Sequence, residues 1–230
     1  MTSGRTEGHP DHLNDRGPVP VLRAAAVYGA NASGKSNLIK ALRAVKDYVV
    51  VDRKMPTDQY YRPDDRMRDE PSYFEVELEI GGSIYSYGFE YIISRQEIVD
   101  EWLHRLFIDK DSEALFQRTG RNIAHSFKDQ DKQKLDVYAE DTIEHGDRLF
   151  LNVMGRRARP AEGDLGIFND VYEWFRDHLR FIDTDYPFTP EVPVSESDFE
   201  RLNKIISSFG TGINSIGYTR KEGMDETLPQ

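Results

Sequence analysis

The chain has 230 residues, 38% of them hydrophobic, and a formal net charge of −11. That is enough apolar content for one large core or two small ones, and an acidic balance that excludes a protein coating nucleic acid by bulk attraction. DNA stays open only as a partner of a local basic patch. The absence of cysteine excludes disulfides, thiolate metal sites and cysteine nucleophiles, and suits a reducing cytoplasm. No stretch of about 18 uninterrupted apolar residues and no apolar signal core are present, so neither membrane insertion nor export is expected.

Residues 1–20, "MTSGRTEGHPDHLNDRGPVP", are too polar and too rich in Gly and Pro to bury surface and read as a flexible lead. Leu22 to Tyr28, "LRAAAVY", is a short apolar run between Pro20 and Gly29, which predicts a strand buried on both faces of a parallel sheet. Leu38, Ile39, Leu42, Val45 and Val49 then recur at helical spacing, predicting an amphipathic helix from Ser36 to about Val50. From Tyr73 the period becomes two, with Phe74, Val76, Leu78 and Ile80 on one face and Glu75, Glu77 and Glu79 on the other. Gly81-Gly82 supplies a hairpin turn, Tyr85, Tyr87, Phe89 and Tyr91 line the return strand, and strands through Glu101 to Asp109 and Ala114 to Arg118 extend an antiparallel meander. Lys128 to Asp147 is charged and weakly periodic, expected as surface loop and exposed helix. Three helices follow, Arg148 to Arg157, Gly166 to Leu179, and Ser197 to Phe209 capped by Ser195 or Ser197 and by Gly210, then a strand over Ile213 to Tyr218. The boundaries expected are a lead at 1–20, one domain over 21–220 (21–50, 72–125 and a mainly helical 146–220), and a flexible tail at 221–230.

Gly29-Ala30-Asn31-Ala32-Ser33-Gly34-Lys35-Ser36 satisfies G-x-x-x-x-G-K-[ST], the Walker A or phosphate-loop pattern, between an apolar run and a helix. Gly29 and Gly34 permit angles that a Cβ forbids, so that amide N–H groups converge on an anion at a helix N-terminus. Lys35 then reaches the β and γ phosphates, and the Ser36 hydroxyl is the Mg²⁺ ligand.

The stretch "YGANASGKSNLIKAL" (Tyr28 to Leu42) resembles the Walker A region of ABC-like ATPase heads of the RecF and SMC branch. Asn31 and Asn37 match that pattern, and Ala32 stands where it has a central Gly. With the meander and "LFLNVM" (Leu149 to Met154), the resemblance narrows to AAA-type ATPases of the abortive-infection or RloA-like kind. The fold class implied is α/β, a partial P-loop NTPase head with an antiparallel meander and following helices. The resemblance implies ATP and Mg²⁺ as cofactors, Gly29, Asn31, Ala32, Ser33, Gly34, Lys35, Ser36 and Asn37 as the binding residues, Lys35 as the catalytic candidate and Ser36 as the metal ligand. It further implies Mg-dependent hydrolysis once the head is completed by a second copy or a partner chain, in antiphage defence or DNA maintenance. A non-hydrolysing nucleotide sensor acting through a partner is the alternative, and a small-molecule P-loop kinase ranks last.

A complete head also needs a Walker B acidic pair and a signature loop. "IVDEW" (Ile98 to Trp102) carries Asp-Glu inside a meander strand, "LFID" and "RFID" lack a following Glu, and "SSFGTG" (Ser207 to Gly212) suits a helix end. The chain therefore reads as the N-terminal portion of a head. Gln96 and Gln117 are both candidates for a Gln loop, the six histidines do not cluster, and "GRRARP" (Gly155 to Pro160) is the one compact basic run, read as a solvated helix end rather than a nucleic-acid contact. The tyrosine face could stack bases, but core packing is the simpler expectation.

Overall fold

A computed structural model describes residues 12–15, 17–61, 63–157, 164–182, 196–208, 212 and 215. Two short strands, β1 (Leu13–Asn14) and β2 (Val21–Leu22), precede helix α1 (Lys35–Val51). Five strands follow, β3 (Ser72–Ile80), β4 (Ser83–Ile92), β5 (Glu97–Leu106), β6 (Glu113–Thr119) and β7 (Asn122–His125). Helices α2 (Asp129–His145), α3 (Phe150–Arg157) and α4 (Gly166–Glu173) come next, α4 running on into a π turn at Trp174–His178. These elements belong to one compact unit ending at Phe181, and α5 (Glu196–Ser208) belongs to a second that starts at Ile182. No described helix is long and apolar enough to cross a membrane.

The strands β3 to β7 form one antiparallel sheet in sequence order. Ile80 pairs with Ser83 across a two-residue turn in which Gly81 and Gly82 have φ of 56° and 75°, the type I′ geometry whose twist matches the strands. That register puts Phe74 opposite Phe89, Tyr87 opposite Leu103, and Leu103 opposite Phe116. One sheet face is thereby apolar, and Tyr87, Phe89, Tyr91, Leu103 and Phe116 are all buried in it. Helices cover that face. Tyr48 of α1 meets Phe89 edge-on at 5.8 Å, Phe150 of α3 meets Phe116 at 5.0 Å, and Phe175 of the π turn meets Tyr87 at 5.7 Å, geometries that suit the ring quadrupoles. The tyrosine face is core, and its rings are not available to stack bases.

The run Leu22 to Tyr28 departs from expectation. Only Val21–Leu22 is strand, and it pairs antiparallel with Leu13–Asn14; among the described residues no parallel ladder forms. Residues 23–28 are exposed, Tyr28 at 92%. An apolar run becomes a buried strand only where neighbouring strands can take its backbone hydrogen bonds, and no described strand lies beside it. The expected lead also has structure, since Arg23 donates from Nε to Leu13 O at 2.8 Å and from its amide to His12 O at 2.9 Å. Two other elements exceed expectation: β7 adds a fifth strand, and Asp129–His145 is one continuous helix. The strand expected at Ile213 to Tyr218 and the caps at Ser195 and Gly210 lie outside the described residues.

Candidate phosphate-binding site

Gly29 to Ser36 links the exposed run to α1, whose first residue is Lys35. Gly34 caps the helix with φ of 91° and ψ of 0°, and Ala32 also takes a left-handed φ of 64°. Gly34 has nothing within 4 Å of a built Cβ, so backbone conformation and not space selects glycine there. Gly29, expected to need angles a Cβ forbids, does not take a left-handed φ; a Cβ on it would meet only the Ser33 side chain, its Oγ at 2.8 Å. The Lys35 ammonium lies across the loop, donating to Gly29 O at 2.6 Å and Ala30 O at 2.7 Å, with Ser33 Oγ at 3.3 Å. One cation thus sits at the centre of a turn that leads into a 17-residue helix, where first-turn amides have no intrahelical acceptor and the dipole favours an anion.

This loop fits a nucleotide phosphate with Mg²⁺. Gly29, Asn31, Ala32, Ser33, Gly34, Lys35 and Asn37 surround the turn, and the Ser36 hydroxyl, exposed in the first helical turn, is the group that would hold the cation. Bound Mg²⁺ would neutralise phosphate charge, and Lys35 would exchange carbonyl partners for phosphate oxygens.

The other end of α1 is fixed by side chains to which the sequence assigned no such role. Asn152 Nδ2 donates to Val49 O at 2.6 Å, and Arg156 and the Tyr172 hydroxyl each donate to Val50 O at 3.1 Å. Lys46, midway along α1, donates to Arg176 O at 2.9 Å and Leu179 O at 2.6 Å at the end of the π turn. The last carbonyls of a helix have no intrahelical donor, so α3 and α4 anchor the helix that carries the loop. Asn152 lies two residues into an apolar helix, and a buried Asn there is the one signal that could have flagged it.

Of the two acidic residues in "IVDEW", Glu101 has a structural place. Glu101 is completely buried on the core face of β5, where it accepts the amides of Phe150 at 2.7 Å and Leu151 at 3.0 Å and the hydroxyl of Tyr87 at 3.0 Å. It caps α3. Burial pushes its carboxyl above the usual carboxylate range, with Arg118 and the two amides opposing that shift. Gln96 and Gln117 are both engaged, Gln96 with Met55 O at 3.4 Å and Gln117 with His104 at 3.3 Å. Within "GRRARP", Arg156 holds α1 and Arg157 pairs with Asp141 at 3.1 Å, while residues 158–160 lie outside the described residues. Asp183 of "RFID" lies outside them too.

Residues 24–184, well over half of the chain, match a family model described as "AAA domain, putative AbiEii toxin, Type IV TA system". The chain belongs to this AAA-domain family. No curated protein and no solved structure gives a match. Membership implies nucleotide binding, typically with Mg²⁺, and the Gly29–Ser36 turn within the matched region carries the Walker A pattern. The AAA domain here is a mixed α/β structure with a five-stranded antiparallel sheet. Its matched region covers both the loop and the helices that anchor α1.

Proposed function

We propose that this AAA domain binds ATP with Mg²⁺ at Gly29 to Ser36 and hydrolyses it only when an ABC-like head is completed by a second copy or a partner chain. The observation that carries the reading is the loop itself: a left-handed Gly34 opening α1 and a Lys35 ammonium held at the centre of the turn. Completion is supported by the number of large apolar side chains left exposed in the residues on either side of the loop, Val27 and Tyr28 before it and Leu38 and Ile39 after it, which a partner chain would cover. The role proposed is abortive infection in the cytoplasm, which rests on the family description and on the RloA-like resemblance. A non-hydrolysing sensor is the second reading, favoured by the use of Glu101 as a buried helix cap.

Binding of a non-hydrolysable ATP analogue and steady-state phosphate release test both readings on the purified chain. Analogue binding that disappears in Lys35→Ala is expected, without turnover by the chain alone. Retained affinity in Lys35→Ala would overturn the phosphate assignment. Turnover by the chain alone, lost in the same variant, would overturn the need for completion.

A further inference from the structure

One flank of α1 leads from the phosphate loop into a cavity of about 760 Å³, within the range of small-molecule sites. Asn37, Ala41 and Ala44 line it from the helix, and Met55, Tyr60 and Tyr61 belong to the rest of its wall. We propose that this cavity receives the base and ribose of the nucleotide whose phosphates sit on Gly29 to Ser36, with Tyr61 as the stacking surface. The inference rests on the phosphate-loop reading.

Continuity is the first argument. Asn37 follows Ser36 directly, and residues 37, 41 and 44 share a stripe because a helix turns about 100° per residue. At about 1.5 Å of rise per residue, that stripe runs roughly 10 Å from the loop into the cavity, the scale of a nucleoside. Chemistry is the second argument. Met55 in the cavity wall is buried and apolar, while Tyr61 is 64% exposed and lies outside the core cluster. A phenol ring at the edge of an apolar slot stacks on any base, since every base presents a π face. The other large cavity sets four carboxylates, Glu113, Asp129, Asp131 and Asp164, against two cations, Arg105 and Lys128, an acidic balance that disfavours a nucleotide, whereas Lys40 offsets Asp58 in the wall of this one. On the apolar face of the sheet the rings of Tyr87, Phe89 and Tyr91 are sealed in the core, and the exposed rings of Tyr28 and Tyr73 do not line this cavity.

The test compares ATP with inorganic triphosphate by calorimetry on the full chain. ATP is expected to bind at least tenfold more tightly than triphosphate. Tyr61→Ala should weaken ATP by about tenfold and leave triphosphate unchanged. Ala41→Leu, which fills the slot with a good helix former, should act in the same way, and Lys35→Ala should lose both ligands. Equal affinity of the wild-type chain for ATP and triphosphate would overturn this inference alone. So would unchanged ATP affinity in both pocket variants, or an equal loss of both ligands in them. Failure of the wild-type chain to bind either ligand would overturn the phosphate-loop reading and this inference with it.

Discussion

The Glu101 carboxylate accepts the backbone N–H of Phe150 at 2.7 Å, joining the middle of the sheet to the first turn of α3 across 49 residues of sequence. Arg118, also buried, places Nη1 3.9 Å from the same carboxylate and donates to Gly120 O, Gly146 O and Arg148 O. The pair therefore satisfies the chain on both sides of the α2–α3 connection. Removing one member of a buried pair leaves the other charge uncompensated, at about 3–5 kcal/mol. Glu101→Gln keeps the shape but presents an amide N–H toward donors already aimed at it. It should lower the denaturant midpoint by an amount in that range, and the folded fraction should bind an ATP analogue as the wild type does. Weakened binding at full stability would return Glu101 to the nucleotide site.

Asn152 ties α3 to the end of α1. Its side chain is buried, and truncation would leave Val49 O without its 2.6 Å donor. An unsatisfied buried carbonyl costs about 1–3 kcal/mol. Asn152→Ala should destabilise the domain by about 2 kcal/mol, read as a shift in urea midpoint with an unchanged m-value. Asn152→Leu, which restores volume and not the donor, should fail to rescue it. Rescue by leucine would mean that packing, rather than the hydrogen bond, holds α1 to α3.

The meander was legible because alternation and a Gly-Gly turn are local signals, and the turn into α1 was legible because a left-handed residue before a helix calls for glycine, here Gly34. What escaped was set by distant neighbours. The apolar run before Gly29 looked like a buried strand, since sequence reports hydrophobicity but not whether a second strand lies alongside. Among the described side chains of α2, only Leu135, Ala139 and Thr142 are buried. That i, i+4, i+7 stripe is narrow and partly polar, so the surrounding charge hid it. The four residues of β7 are too few to show a period. Glu101 was read beside Asp100 as an acidic pair, whereas in a strand the two side chains point to opposite faces.

Asp147 supplies a pH dependence. Its hydrogen bond with Lys54 holds its carboxyl below the usual carboxylate range, and its backbone carbonyl accepts the Tyr48 hydroxyl at 2.8 Å. Because the folded state holds the proton less tightly than the unfolded chain, the contribution is present above the unfolded carboxylate value near 4 and is lost as pH falls through the lower folded value. The side chain is half exposed, so solvent limits the effect to under about 1 kcal/mol. Unfolding measured between pH 6 and 3 should show Asp147→Asn losing less stability than the wild type across that window. Parallel curves would mean that the ion pair contributes nothing.

Gly34 separates conformational demand from steric demand at the phosphate loop. A Cβ there meets no atom within 4 Å, yet φ of 91° lies where a side chain is strained by about 1–3 kcal/mol. Gly34→Ala can relieve that strain only by rotating the peptide that leads into Lys35, which moves the loop amides off a common focus. The loop is exposed and remote from the core cluster, so relaxation leaves global stability within about 1 kcal/mol of the wild type while ATP analogue binding falls at least tenfold. Ala32→Gly is the complementary variant. Ala32 already bears a left-handed φ of 64°, so glycine removes strain but gives the unfolded chain more freedom. Its binding should match or exceed the wild type. An equal loss of binding in Ala32→Gly would show that the loop depends on the Ala32 methyl and not on backbone angles alone.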